Sequence, residues 1–426
     1  MSRATFRPGR ALRGEATLPG DKSITQRAIL LGALAPGTTR VRNPNPGADA
    51  ASAWRVARGL GARARRERDG ALVIQGGTLR EPDRPLDAGN SGTALRLSTG
   101  LLAAQPFLSI LTGDVSLRGR PVDRVLRPLA AFGAECHARD GDRLPPVVVR
   151  GRALRGADVE TGVASAQVKS ALLFAAIQAE GASVVRERVP TRDHTERMLP
   201  RFGVPVVLEA RAVRIAGGAP LHGAEIDVPG DPSAAAFLAA AAALVPRSDL
   251  LLKGVGVNPS RRGFFTLLAR AGAFVAYEEE RLDGDEPVAD VRVRHQALRA
   301  LTVGPADVPG LIDELPLVAV LAAFARGTSE VTGAAELRLK ESDRIGAVAD
   351  GLRAIGARVE AREDGWLIEG ANRLEGGRVE ARGDHRIAMA FLVAGLRAKR
   401  GVTVEGAESI HVSDPGFLER LRRLRR

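Results

Sequence analysis

The residues best suited to chemistry stand in short polar clusters, each leading into an apolar run. Leu18-Pro19-Gly20-Asp21-Lys22-Ser23-Ile24-Thr25-Gln26-Arg27 precedes Ala28–Leu34. Asp87-Ala88-Gly89-Asn90-Ser91-Gly92-Thr93-Ala94-Leu95-Arg96 is a Gly-rich turn opening a helix, and Ser165-Ala166-Gln167-Val168-Lys169-Ser170 opens another. The first turn of a helix carries unsatisfied N–H groups and the positive end of the dipole, so cations and hydroxyls placed there favour an anion. The Gly-rich turn is not a Walker loop, because no Lys-Ser/Thr pair follows its last glycine. Gly119-Arg120-Pro121-Val122-Asp123-Arg124 adds an Arg-rich loop, and Arg192-Asp193-His194-Thr195-Glu196-Arg197 a further helix start. Carboxylates join the cations at Asp313-Glu314, at Lys340-Glu341-Ser342-Asp343-Arg344 and at Asp384-His385-Arg386. Taken singly, each cluster also reads as ordinary capping, a tight turn or a salt-laced first turn. Together, so many cationic helix starts fit one centre that holds a highly anionic ligand. His194 has no second histidine at ligand spacing and reads as structural rather than metal-binding.

Composition sharpens this. Lys and Arg number 62, but only Lys22, Lys169, Lys253, Lys340 and Lys399 are lysines. A lysine kept in so Arg-biased a chain supplies a compact ammonium with a shiftable pKa, which Arg does not. Lys22, Lys169 and Lys340 all fall inside the polar clusters. The net charge of +12 is spread evenly and aromatics are 4%, so the charge reads as an Arg habit rather than a nucleic-acid surface. The single Cys136 excludes a disulfide framework and a Cys-based metal site. Met1 to Arg10 has no apolar signal core. Ala234–Val245 and Leu315–Ala325 are too short to span a bilayer and read as buried helices. A cytoplasmic monomer with no membrane partner is expected.

The elements that must position these clusters recur about every 70–85 residues, too long a period for common solenoids. A helix-like stretch ends in glycine at Gly61, Gly133, Gly203, Gly272 and Gly356, where a left-handed C-cap suits it. Strand-like segments follow at Leu72–Ile74, Val147–Val149, Val213–Ile215, Val291–Val293 and Trp366–Ile368. Phe417–Leu424 reads as a sixth copy cut short. Six α/β units in 426 residues, 45% hydrophobic, predict an α/β fold of two similar domains, each of three repeated units. The Pro/Gly clusters at Leu18-Pro19-Gly20 and Val228-Pro229-Gly230-Asp231-Pro232 set the boundaries: 19–228 as one domain, 1–18 plus 229–426 as the other. The N-terminal strand is expected to pair with the second domain.

The stretches PGDKSITQR, GNSGTALR, RPVDRVLRPL, SAQVKSALL, TRDHTERML, VPGDPSAAAF, IDEL, KESDR and GDHR, in this order over nearly the whole chain, closely resemble the 5-enolpyruvylshikimate-3-phosphate synthase family. SAQVKS and TRDHTERML look most like its Gram-positive-type branch. The resemblance implies the inside-out α/β barrel of the enolpyruvyl transferases, with the active site in a cleft between the domains. It implies transfer of the enolpyruvyl group of phosphoenolpyruvate to the 5-hydroxyl of shikimate 3-phosphate, with no metal or organic cofactor. Shikimate 3-phosphate would meet Lys22, Ser23, Arg27, Ser165, Ala166, Gln167, Arg192, Asp313 and Lys340. Phosphoenolpyruvate would meet Lys22, Gly92, Arg120, Gln167, Arg344 and Arg386, with Glu341 close by and the competing herbicide glyphosate in the same pocket. Lys22, Asp313 and Glu341 would be catalytic, the two acids handling the protons in an order the sequence leaves open.

The chain departs from the family at Val412, where some members carry Lys, with His411 beside it. Glu336 stands where some have an amide, and Leu97 where the plant and enteric branch has Pro. The sister family that transfers enolpyruvyl to UDP-N-acetylglucosamine typically has a catalytic Cys five residues before the loop arginine, where this chain has Val115. A non-catalytic anion-binding protein is a second alternative, disfavoured because Asp313 and Glu341 would weaken simple anion binding.

Overall fold

The computed structural model describes residues 2–425. The chain divides into two compact units, one of Met1–Pro19 with Pro229–Arg426 and one of Gly20–Val228.

Both units use one building block. In the clearest copy, a strand at Leu86–Asp87 leads through the helix Gly92–Leu102 to a parallel strand at Leu108–Thr112. The helix Asp123–Leu129 and an antiparallel pair, Glu135–Ala138 and Leu144–Arg150, complete a four-stranded sheet. The same sheet order recurs in five of six copies. The sixth ends in three strands: Gly377–Glu380 runs parallel to Val402–Glu405, and the third place is taken by Arg3–Phe6, with Arg3 opposite Glu405. A second N-terminal strand, Arg13–Thr17, pairs with Asp249–Gly256 and closes another sheet of the same unit.

Gly61, Gly133, Gly203, Gly272 and Gly356 all take positive φ, between 82° and 104°. Each reverses the chain from helix to strand in a conformation that a Cβ disfavours.

Six helices form the interior. They are α1 (Lys22–Leu34), α2 (Gly92–Leu102) and α3 (Ala166–Ala176) in the Gly20–Val228 unit, and α4 (Pro232–Leu244), α5 (Leu315–Phe324) and α6 (His385–Gly395) in the other. Every residue of α4, α5 and α6 is buried. A helix that is apolar all round belongs at the centre of a core. The sheets, whose strands alternate buried and exposed positions, therefore lie outside the helices in each unit. Each unit has its own apolar core.

Caps fix where the helices begin. Asp21 accepts the Ile24 N–H at 2.9 Å, Ser91 that of Ala94 at 3.1 Å and Ser165 that of Val168 at 3.4 Å. Asp231 accepts from Ser233 N–H at 2.8 Å, with Pro232 preset for the first turn. Asp384 accepts from Arg386 N–H at 2.8 Å. All six starts follow the carboxyl end of a strand that has a parallel partner, where open α/β sheets bind ligands.

Candidate functional site

In the Gly20–Val228 unit the starts of α1, α2 and α3 are tied together by side chains. Ser91 Oγ donates to Gln26 Oε1 at 2.8 Å, joining α2 to α1. Arg96 Nη1 donates to Gln167 Oε1 at 2.5 Å, and Gln167 Nε2 donates to Thr93 Oγ1 at 2.9 Å, joining α2 to α3. Arg27 is buried; its Nε donates to Thr195 Oγ1 at 2.8 Å, Nη1 to Ser23 O at 2.9 Å and Nη2 to Ser170 Oγ at 2.7 Å. Lys22 Nζ lies 2.9 Å from Asp49 Oδ2, an acid in the first turn of the helix Ala48–Gly59. Arg120 donates to Asn90 O and Oδ1 at 3.2 and 2.7 Å and to Ser116 Oγ at 3.0 Å, so its loop folds against the Gly-rich turn. Gly92 is buried at the head of α2; a Cβ there would stand 2.9 Å from Arg96 Nη1 and 3.7 Å from Arg120 Nη1. Ser165, Ala166, Gln167 and Arg192 are half-buried. Lys22, Ser23, Arg27, Gly92, Arg120, Ser165, Ala166, Gln167 and Arg192 thus occur in this unit, on helix starts or the loops after the second parallel strand.

The other unit gathers the carboxylates. Arg344 is buried; its Nε lies 2.8 Å from Asp384 Oδ2 and its Nη2 2.6 Å from Glu341 Oε2. Its Nη1 has no hydrogen-bond acceptor among the described residues, with Asp313 Oδ1 3.9 Å away. Burial works against its charge, but Asp384 and Glu341 outweigh it and raise the pKa further. Arg386 Nη1 lies 3.2 Å from Glu314 Oε1, and its Nη2 4.0 Å from Asp313 Oδ2. Glu314 also accepts from Ser233 Oγ, and Ser233 accepts from Arg261 Nη2 at 2.8 Å. This chain of contacts fixes the heads of α4, α5 and α6. Burial lowers the Lys340 pKa, against Asp313 and Glu336, which raise it. Asp313, Lys340, Glu341, Arg344 and Arg386 are therefore neighbours in one cluster.

Four participants escaped the sequence analysis as site residues. Asp49 carried no signal beyond an acid in a first turn. Arg96, Glu314 and Ser233 lay inside quoted motifs, yet nothing local showed which partner each would meet. His194 is buried at the head of a short helix. Among the described residues no group of three or more His, Cys, Asp and Glu is placed to hold a metal ion, and no helix is long and apolar enough to cross a membrane. Cys136 lies on the strand Glu135–Ala138, and burial pushes its thiol up to about 12, with Asp142 and Glu135 adding to the shift. Such a thiol is a poor nucleophile at neutral pH. Val115, at the position of the sister family's cysteine, is exposed.

A family model described as EPSP synthase (3-phosphoshikimate 1-carboxyvinyltransferase) matches residues 6–421. A protein of Halorhodospira halophila named 3-phosphoshikimate 1-carboxyvinyltransferase is 51% identical over 420 residues, 98% of this chain and 95% of that one. A protein of the same name from Alkalilimnicola ehrlichii is 49% identical over 416 residues, 97% and 93% of the two chains. Among solved structures, an EPSP synthase from Acinetobacter baumannii superposes with a TM-score of 0.87 at 41% identity, covering 99% of this chain and 98% of that one. The enolpyruvyl transferase NikO from Streptomyces tendae shares the fold, with a TM-score of 0.78 at 19% identity over 98% and 96% of the chains.

Proposed function

Because the chain belongs to the EPSP synthase family, we propose that it transfers the enolpyruvyl group of phosphoenolpyruvate to the 5-hydroxyl of shikimate 3-phosphate, releasing phosphate. The observation that carries this is the Arg344 cluster. A buried guanidinium with one nitrogen still able to donate stands beside Arg386, Asp313 and Glu341. Arginine pairs with phosphate and carboxylate in a planar, bidentate way, and phosphoenolpyruvate carries both groups.

The roles are those that the family resemblance implies. Lys22, Gly92, Arg120, Gln167, Arg344 and Arg386 hold phosphoenolpyruvate. Lys22, Ser23, Arg27, Ser165, Ala166, Gln167, Arg192, Asp313 and Lys340 hold shikimate 3-phosphate. The reaction joins the two substrates, so both sets of residues act on them together. The 5-hydroxyl oxygen attacks C2 of phosphoenolpyruvate and loses its proton while C3 gains one. The tetrahedral intermediate then breaks its C2–O bond to phosphate and gives up a C3 proton, which restores the double bond. Asp313 and Glu341 carry these protons, and Lys22 neutralises the departing phosphate. Neither a metal nor an organic cofactor enters the scheme.

The protein works as a cytoplasmic monomer without nucleic acid. In support of the last point, arginines on the sheets are met by acids, as in Arg186 with Asp158 and Arg292 with Asp249.

The test is phosphate release from the two substrates. Asp313→Ala and Glu341→Ala should each lower kcat by about 10²-fold or more, the scale of a positioned acid or base, with substrate affinity retained better than turnover. No phosphate release by the wild type would overturn the assignment, and variants that only raise KM would remove the acids from proton transfer.

A further inference from the structure

Lys169 has no role in the scheme above, yet it is one of only five lysines and is buried. Its Nζ lies 2.7 Å from Glu187 Oε2 and 2.6 Å from Glu196 Oε1, both buried, and donates to the Thr191 carbonyl at 3.4 Å. Glu187 ends the strand Ala182–Glu187; it also takes the Thr191 hydroxyl on Oε1 and faces the Thr191 N–H at 3.5 Å. Glu196 stands on the short helix His194–Met198. Residues 188–193 between them form neither helix nor strand. Side chains must therefore fix the backbone that carries Arg192. On its own helix, Lys169 sits one turn after Ser165, whose carbonyl takes the Lys169 N–H at 3.0 Å.

From this juxtaposition we infer that Lys169 is a positioning residue: with Glu187 and Glu196 it clamps the 188–193 segment to the head of α3, setting Arg192 against Ser165, Ala166 and Gln167 so that together they receive the phosphate of shikimate 3-phosphate. The inference rests on the functional reading above and adds to it a residue that touches no substrate.

Stability alone does not explain such a cluster. A buried ion pair roughly breaks even with apolar side chains of equal volume, because desolvation cancels the attraction. Here one ammonium meets two carboxylates, which is less favourable still. Burial works against the Lys169 charge, but Glu196 and Glu187 outweigh it and raise its pKa, while burial pushes the Glu196 carboxyl up against the pull of Lys169. What the arrangement supplies is direction. A tetrahedral ammonium has three donors that reach a strand end, a carbonyl and a helix at once, a geometry the planar fork of arginine does not match. The next residue on each side repeats the device: Ser170 and Thr195 hydroxyls lie 2.7 Å apart, and both accept from Arg27.

Lys169→Met and Thr191→Val are compared with the wild type in steady-state kinetics. Lys169→Met should raise KM for shikimate 3-phosphate at least about tenfold, since small misplacements of positioning groups cost up to 10²-fold, while KM for phosphoenolpyruvate at saturating shikimate 3-phosphate stays within about threefold. Thr191→Val should move the same KM in the same direction by less, and amide hydrogen exchange across 188–193 should quicken in both. A folded Lys169→Met variant with unchanged KM for shikimate 3-phosphate would overturn the inference, as would equal losses in both KM values and kcat. If Lys169→Met does not fold, an unchanged KM and unchanged exchange in Thr191→Val overturn it. A wild type that releases no phosphate would sink the functional reading itself, a result distinct from any of these.

Discussion

Asp384 and Arg344 form a buried pair in which Arg344 Nε lies 2.8 Å from Asp384 Oδ2, while the other carboxylate oxygen of Asp384 caps the Arg386 N–H at 2.8 Å. One acid thus orients the guanidinium of Arg344 and caps the helix that carries Arg386. Removing it leaves Arg344 buried with less compensation and strips a helix cap. Asp384→Ala should cost about 3–5 kcal/mol, the usual penalty for breaking a buried pair from one side. KM for phosphoenolpyruvate should rise with it. Urea unfolding and steady-state kinetics on the same preparation check both, and Asp384→Asn, which keeps the cap, should lose less stability.

Lys22 tests the difference between charge and shape. It contacts Asp49 at 2.9 Å in a partly buried setting, so a longer planar guanidinium would have to find another position. Lys22→Arg should therefore lower kcat by about tenfold or more although the charge is kept. Turnover close to that of the wild type would reduce Lys22 to a source of positive charge.

Lys340 should set an alkaline limit. Burial lowers its pKa against the opposing pull of Asp313 and Glu336, so it loses its proton below the ordinary lysine value of about 10.4. The ammonium is present at low pH and lost as pH climbs through the lowered pKa. If the charged form binds substrate, kcat/KM for shikimate 3-phosphate falls on the alkaline side earlier than an unperturbed lysine would allow. The stability effect has the opposite sign: the unfolded chain holds this proton more tightly, so the cost of charging Lys340 in the fold fades as pH rises. A pH profile of kcat/KM for the wild type and Lys340→Arg checks the assignment; the limb should be absent in the arginine variant, whatever its residual activity.

Gly92 should control the room at the head of α2. A Cβ at this position would stand 2.9 Å from Arg96 Nη1, closer than side chains tolerate without shifting. Arg96 is the donor that holds Gln167. Gly92→Ala should therefore raise KM for phosphoenolpyruvate moderately and weaken inhibition by the longer glyphosate much more. The wild type is expected to be glyphosate-sensitive. Steady-state inhibition at fixed phosphoenolpyruvate, with equal inhibition constants for the two proteins, would remove Gly92 from the ligand pocket.

Local signals made the repeat legible. Gly133 and Gly356 sit where helix turns to strand because a left-handed residue costs glycine nothing, and that demand is met within two or three residues. The apolar runs that became α4 and α5 were readable for the same reason, since a helix buried on every side needs no partner to reveal itself. The polar clusters at helix starts were legible as clusters because capping and the dipole are properties of the first turn.

From residue order alone it follows that the chain is built of α/β units, that polar residues open its buried helices, and which family those residues resemble. The pairings became visible in the folded chain. It set Lys22 against Asp49, Arg386 against Glu314, Arg344 against Asp384, and Lys169 between Glu187 and Glu196. It also gave the sixth sheet its third strand from the other end of the chain, Arg3–Phe6 beside Val402–Glu405. The physical reason is that a cap or a turn is fixed by neighbours along the backbone, whereas an ion pair is fixed by which helices share a core. Closing such contacts over long loops adds little entropic cost per residue of separation, so sequence distance carries almost no information about who meets whom.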